Sequence, residues 1–215
     1  MVDPVTTAIS VLALVVSSIT AWLTLFRVGA VKMTQPTVIF FGPDKPRERG
    51  GTAAPKVYLR TLLFCTAKRG RVIESMHVTL ARNEASQTFN VWVHGDERLV
   101  RGSGLFVGET GVAANHHFLA PPNGTSFHFI EGAYRLDVFA KMVGEPKSKR
   151  LFSQRLDISR DVATALMEPL FGVYFDWGPE SGAYLPHVAK REAEPNTGDL
   201  IDAVRSLARP ETFRP

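Results

Sequence analysis

The chain has 215 residues, 45% of them hydrophobic and 21% charged, with a formal net charge of +4. That composition excludes an intrinsically disordered polymer, and the single cysteine, Cys65, excludes an intramolecular disulfide scaffold. The whole charge excess falls between Arg27 and Lys56, where Arg27, Lys32, Lys45, Arg47, Arg49 and Lys56 stand against Asp44 and Glu48. Its loop "DKPRERGG" mixes signs and lacks aromatic or helical readout elements, so no nucleic-acid partner is expected.

The first element is an apolar run from Val5 to Phe26, whose 22 residues carry no charge. As an α-helix it rises about 33 Å, enough for a hydrocarbon core about 30 Å thick. Its polar side chains are hydroxyls, which can bond back to the carbonyl four residues earlier, and Trp22 suits a headgroup boundary. A cleaved secretory signal needs a basic n-region and a shorter apolar stretch, whereas residues 1–4 carry Asp3 and no Lys or Arg. A retained single-pass anchor is therefore preferred over a cleaved signal or a buried core helix. Basic residues lie only downstream, so residues 1–4 are expected outside and the C-terminal bulk in the cytoplasm. Residues 27–55 read as a basic juxtamembrane segment attracted to the lipid bilayer, with one short strand at 37–41 and a loop at 42–55.

Residues 56–158 show repeated apolar alternation, the mark of strands with one buried face. Lys56 to Thr66 is apolar on both faces and predicts a central strand. In "RVIESMHVTLAR", Val72, Met76, Val78 and Leu80 share one predicted face. In "TFNVWVHG", Phe89, Val91 and Val93 alternate with Asn90, Trp92 and His94, which puts Trp92 on an exposed face. Tyr134, Leu136, Val138, Ala140 and Met142 form the clearest series, followed by Phe152, Leu156 and Ile158. Weaker strands are predicted at 104–108, 112–119 and 126–130. With turn signals between them and no intervening helix, these predict a mainly β antiparallel sandwich.

In "FIEGAYRLDVFA", Gly132 stands two residues before Tyr134. This resembles the tyrosine corner of immunoglobulin-like domains, although Leu136 replaces the antibody cysteine and Ile130 a common aspartate. The resemblance implies an immunoglobulin-like sandwich and carries no functional residue, because that superfold hosts unrelated activities.

Residues 159–189 read as a short helix capped by Ser159, then an aromatic-rich extension with Phe171, Tyr174, Phe175, Trp177 and Tyr184. Those rings either pack on their own domain or contact a partner or the membrane. Residues 190–215 read as a linker and a short amphipathic helix with Leu200, Ile201, Val204 and Leu207 on one stripe. Whether that stripe docks on its own domain or on another chain stays open.

No catalytic, cofactor or metal site is expected. His116 and His117 in "NHHF" point to opposite faces of a strand and cannot share one ion without a bulge. Gly102, Gly104 and Gly108 lack the strand, helix and lysine of a phosphate loop, and Ser103 lacks the nucleophile-elbow spacing. Cys65 reads as a buried inert thiol, and the Asn123 sequon as a turn. Glu84, Asp96, Glu97 and Glu109 fall in expected loops with no legible pairing.

The resulting expectation is a membrane-anchored, cytoplasm-facing protein-interaction or assembly module, an accessory subunit binding another protein through Trp92, the 171–184 aromatics and the terminal stripe. An exported carbohydrate- or envelope-binding sandwich is the alternative, with Trp92 or Trp177 as stacking platform, and a membrane-tethered hydrolase is a second. Homo-oligomerisation through small residues of the anchor also stays open.

Overall fold

Asp3 accepts a hydrogen bond from the Val5 amide and caps α1 (Pro4–Ala21), with Pro4 in the first turn, where its missing N–H costs nothing. This computed structural model describes residues 3–44, 54–96, 100–102, 104–121, 127–168 and 170–190. The helix continues as a π-helical turn over Trp22–Phe26, and none of this 23-residue apolar span is buried. Ser10, Thr20 and Thr24 donate to the carbonyls of Thr6, Val16 and Thr20 at 2.8 to 2.9 Å, so these hydroxyls need no water.

The rest is a sandwich of two antiparallel sheets. The larger contains β1 (Val31–Met33), β2 (Val38–Pro43), β3 (Pro55–Cys65), β6 (Val91–His94), β7 (Val100–Arg101), β9 (Val112–Leu119), β12 (Phe171–Gly178) and β13 (Ala183–Lys190). Its order is β13-β12-β2-β3-β9-β6-β7, and β1 pairs with the end of β3 beyond β2. The smaller contains β4 (Arg71–Arg82), β5 (Ala85–Phe89), β8 (Leu105–Val107), β10 (Gly132–Met142) and β11 (Lys149–Ile158). There the order is β11-β10-β4-β5, with β8 also on β4. Alternating inward residues of both sheets, among them Ile39, Phe41, Val57, Leu59, Met76, Val78, Phe118, Leu136, Val138 and Phe175, form one core. Burying a side chain of this size stabilises by about 1.5–3 kcal/mol.

The expected central strand is β3, held between β2 and β9, and the expected strand at 112–119 is β9. Ser159 caps α2 (Arg160–Ala165) by accepting from the Val162 amide. The tyrosine corner is also formed: the Tyr134 hydroxyl donates to the Ile130 carbonyl at 2.9 Å and accepts from its amide at 3.0 Å. Gly132 has φ +140, a backbone that side chains strain to adopt, and it turns the chain into β10.

Three readings are corrected. Val72 is exposed and Ile73 is buried, because a bulge between Ser75 and Ile73 adds a residue against β10 and inverts the phase of β4. Residues 127–130 form no strand and lead into the corner. Residues 171–189 are no extension of the sandwich; β12 and β13 form a hairpin that β12 joins to β2, so the larger sheet runs to Lys190.

Candidate functional site: the outer face of the larger sheet

Cross-strand register assembles a site that no local stretch contains. His187, Tyr174, Phe40, Tyr58 and His117 are successive Cα partners across β13, β12, β2, β3 and β9. All five lie on the outer face, since Val188, Val173, Ile39, Leu59 and His116 alternate with them. Ring centroids lie 5.3 Å apart for Tyr174 and His187, 4.7 Å for Phe40 and Tyr174, and 4.9 Å for Tyr58 and His117. These separations favour aromatic pairing.

Phe40 is 2% exposed although it sits on an outer face. Its ring covers Gly42 and Gly172, where added Cβ atoms would lie 2.5 and 2.1 Å from the ring. The two glycines thus let Phe40 lie against the backbone, and Tyr174 closes over it.

A polar cluster borders the row. Tyr58 Oη and Arg60 Nη1 both donate to Asn115 Oδ1 at 2.9 Å. Arg60 Nη1 also donates to Asp96 Oδ1 at 2.9 Å, and the same carboxylate oxygen accepts the Asn115 amide at 3.2 Å. Burial pushes the Tyr58 phenol above its ordinary range, partly offset by Arg60. At the other end His187 Nδ1 lies 2.8 Å from Asp176 Oδ2. The face therefore combines closely packed rings with donors and acceptors held by one another.

Of the aromatic residues singled out from sequence, Tyr174 alone belongs to this row. Trp92 is 3% exposed and its expected exposed face is wrong. The chain crosses from the smaller sheet to the larger at Asn90, so Phe89 points inward from one sheet and Trp92 inward from the other. Phe175 is likewise core, at 1% exposure. Phe171 is half-buried, and Trp177 packs edge-on against Tyr184 at 5.2 Å. Tyr184 donates to the Pro36 carbonyl at 2.8 Å and accepts from Gln35, and burial raises its pKa.

Leu200, Ile201, Val204 and Leu207 lie outside the described residues, as do Lys45, Arg47, Arg49, Ser103, Glu97 and Asn123. Arg27 and Lys32 are exposed where the chain leaves the helix. The strand ends flanking Lys45 to Arg49, Pro43 and Pro55, pair at the end of β3 away from Cys65. There Lys56 already pairs with Asp44 at 3.0 Å.

His116 and His117 do point to opposite faces. His116 is buried, and its Nδ1 accepts the Trp92 indole N–H at 3.1 Å, which puts its own proton on Nε2. No described residue accepts from that Nε2. Burial, then the neighbouring His94 and His117, hold the His116 pKa down to about 4. Among the described residues, no group of three or more His, Cys, Asp or Glu side chains is placed to hold a metal ion. Cys65 is buried as expected.

Tyr58, Phe40 and His187 were not singled out in the sequence, and His117 was weighed only as a metal ligand; only cross-strand register, which no short stretch reveals, aligns the four.

No family model matches the chain, and no curated protein matches it. Among solved structures, the CooA pilin subunit from enterotoxigenic Escherichia coli aligns with 60% of this chain and 98% of its own at 8% identity. Its TM-score of 0.29 is too low to carry an argument.

Proposed function

We propose that the chain is a membrane-anchored interaction or assembly module with an immunoglobulin-like sandwich on the cytoplasmic side, docking another protein on the outer face of its larger sheet. The observation that carries this reading is the transverse row from His187 to His117 with its Tyr58–Asn115–Arg60–Asp96 border. The unburied apolar span supports the anchor, Arg27 and Lys32 downstream of it support the cytoplasmic orientation, and the Tyr134 corner supports the immunoglobulin likeness. No catalytic role is proposed.

The test is a photo-crosslinking residue at Tyr174 of the full-length chain in cells, with another at Glu84 as reference. The expected result is a discrete adduct from position 174 that Tyr58→Ala and Arg60→Ala weaken. Equal, diffuse labelling from both positions would overturn the assignment of this face.

The same aromatic row favours one second reading, an exported module that stacks sugar rings of the cell envelope. A C-terminal reporter active on only one side of the membrane separates the two. An exterior signal removes the cytoplasmic reading and leaves the carbohydrate one.

A further inference from the structure

The short tether between helix and sandwich fixes which end of the sandwich meets the membrane. The apolar span ends at Phe26, and Gly29 is already buried against the β3–β4 turn, where an added Cβ would lie 2.6 Å from the Ala67 amide nitrogen. Ala30 N–H donates to Thr66 Oγ1 at 2.9 Å, and the Thr66 amide donates to the Ala30 carbonyl at 3.0 Å. Only Arg27 and Val28 lie between Phe26 and Gly29, three Cα–Cα steps with a reach of at most about 11 Å. The headgroup layer is about 5–7 Å thick on each side. The β3–β4 turn is therefore tied to the edge of the bilayer whatever angle the helix takes.

That end carries surface suited to the position. Phe106 is 59% exposed, with its ring over Gly70, and is the Cα partner of exposed Val72. Val143 is 58% exposed, and its amide donates to the Val72 carbonyl at 3.0 Å. Val28 is exposed in the tether itself. Lys68 and Arg69 stand exposed in the turn between β3 and β4, while Glu145, an acid of the adjoining β10–β11 turn, is bound by Arg71 at 2.6 Å and Lys149 at 2.8 Å. Glu109, Glu180 and Asp96 are acids of neighbouring turns, and Asp96 is already bound by Arg60 at 2.9 Å. Apolar side chains protruding beside basic ones, at the membrane boundary, match an anionic lipid surface.

We propose that this end of the sandwich is itself a lipid-contact surface, with Phe106 and Val143 inserted at the interface and Lys68 and Arg69 on anionic headgroups. The inference rests on the anchor reading above. It makes the membrane contact a property of the β3–β4 and β10–β11 turns and of β8 beside them. A domain held by both helix and turns would present the outer face of its larger sheet at a fixed angle to partners.

The test uses the full-length chain in phosphatidylcholine vesicles with and without phosphatidylserine. Nitroxide labels are placed at Phe106→Cys, Val143→Cys and, as distal reference, Glu84→Cys; buried Cys65 stays in place. Phe106 and Glu84 lie at opposite ends of β4, separated by about 33 Å. The expected result is a several-fold lower collision rate with a water-soluble chelate at 106 and 143 than at 84. Phosphatidylserine should deepen that protection, and Lys68→Glu with Arg69→Glu should reverse it. Equal chelate access at all three positions, in protein that still floats with vesicles and resists alkaline extraction, would overturn the lipid-contact surface while leaving the anchor intact. Release on alkaline extraction would overturn the anchor, and this inference with it.

Discussion

The indole N–H of Trp92 donates to Nδ1 of His116 across 3.1 Å inside the sandwich, joining β6 to its neighbour β9 through the core. Burial, then the neighbouring His94 and His117, lower the His116 pKa from 6.5 to about 4 and keep the ring neutral. Between those values the unfolded chain binds a proton that the folded chain does not. Stability therefore rises with pH across this window, levels off above about 6.5, and is lost as pH falls toward 4. The full difference amounts to about 3 kcal/mol. Burial also lowers the pKa of His77 and His94, which adds to the same slope. Denaturant titrations of the full chain in detergent at pH 7 and pH 5 should show a clear loss at the lower pH. His116→Gln, which can still accept from Trp92 but does not titrate, should show a smaller one. An identical pH dependence in the two proteins would exclude His116 as its source.

The Tyr134 corner makes a separate prediction. Its hydroxyl satisfies both backbone groups of Ile130, so Tyr134→Phe removes two hydrogen bonds while keeping the ring in the core. The expected cost is about 1–3 kcal/mol, read as a fall of about 2–4 °C in Tm per kcal/mol. An unchanged Tm would mean that water replaces the hydroxyl at no cost.

Gly172→Ala tests the basis of the aromatic row. The new Cβ would lie 2.1 Å from the Phe40 ring, which must swing away from the sheet and expose what it now covers. A destabilisation of about 1–3 kcal/mol is expected, together with loss of the adduct from position 174. Phe40→Leu should weaken the row with less backbone strain. If Gly172→Ala left both stability and crosslinking unchanged, the row would not depend on Phe40 lying flat.

What could be read from the sequence divides along a physical line. Period-two alternation made β10 and most of β11 legible because each stays in one sheet with a constant inward phase, whereas β9, whose inward series of Ala114, His116 and Phe118 includes a polar ring, gave only a weaker strand signal. It failed at Val72, where a bulge inverts the phase, and at Trp92, where crossing between sheets at Asn90 does the same. The β12–β13 hairpin had a signal: Phe171, Val173, Phe175 and Trp177 alternate before the "GPESG" turn. The rings on its other face, Tyr174 above all, obscured the period. The row was out of reach for another reason. Tyr58 and His117 are far apart in sequence and adjacent only through the β3–β9 register, which the distant packing of both strands sets.

Gly29 offers the sharpest test of the tether. An added Cβ would lie 2.6 Å from the Ala67 nitrogen and 2.8 Å from Cys65 Sγ, and neither the backbone atom nor the buried sulfur can move freely. Gly29→Val should therefore lift the strap, breaking both hydrogen bonds between Ala30 and Thr66 while β3 keeps its pairing with β2 and β9. The loss is local, so global unfolding should shift by less than the local change. Amide exchange at Thr66, whose N–H bonds to Ala30, should accelerate strongly while Leu59 in mid-strand stays protected. Limited trypsin digestion should also cut faster after Arg27, because the chain beside it no longer docks. Were Thr66 exchange and cleavage after Arg27 both unchanged, the strap would stay docked through its bonds to Thr66 alone, and the close approach at Gly29 would not be what holds it.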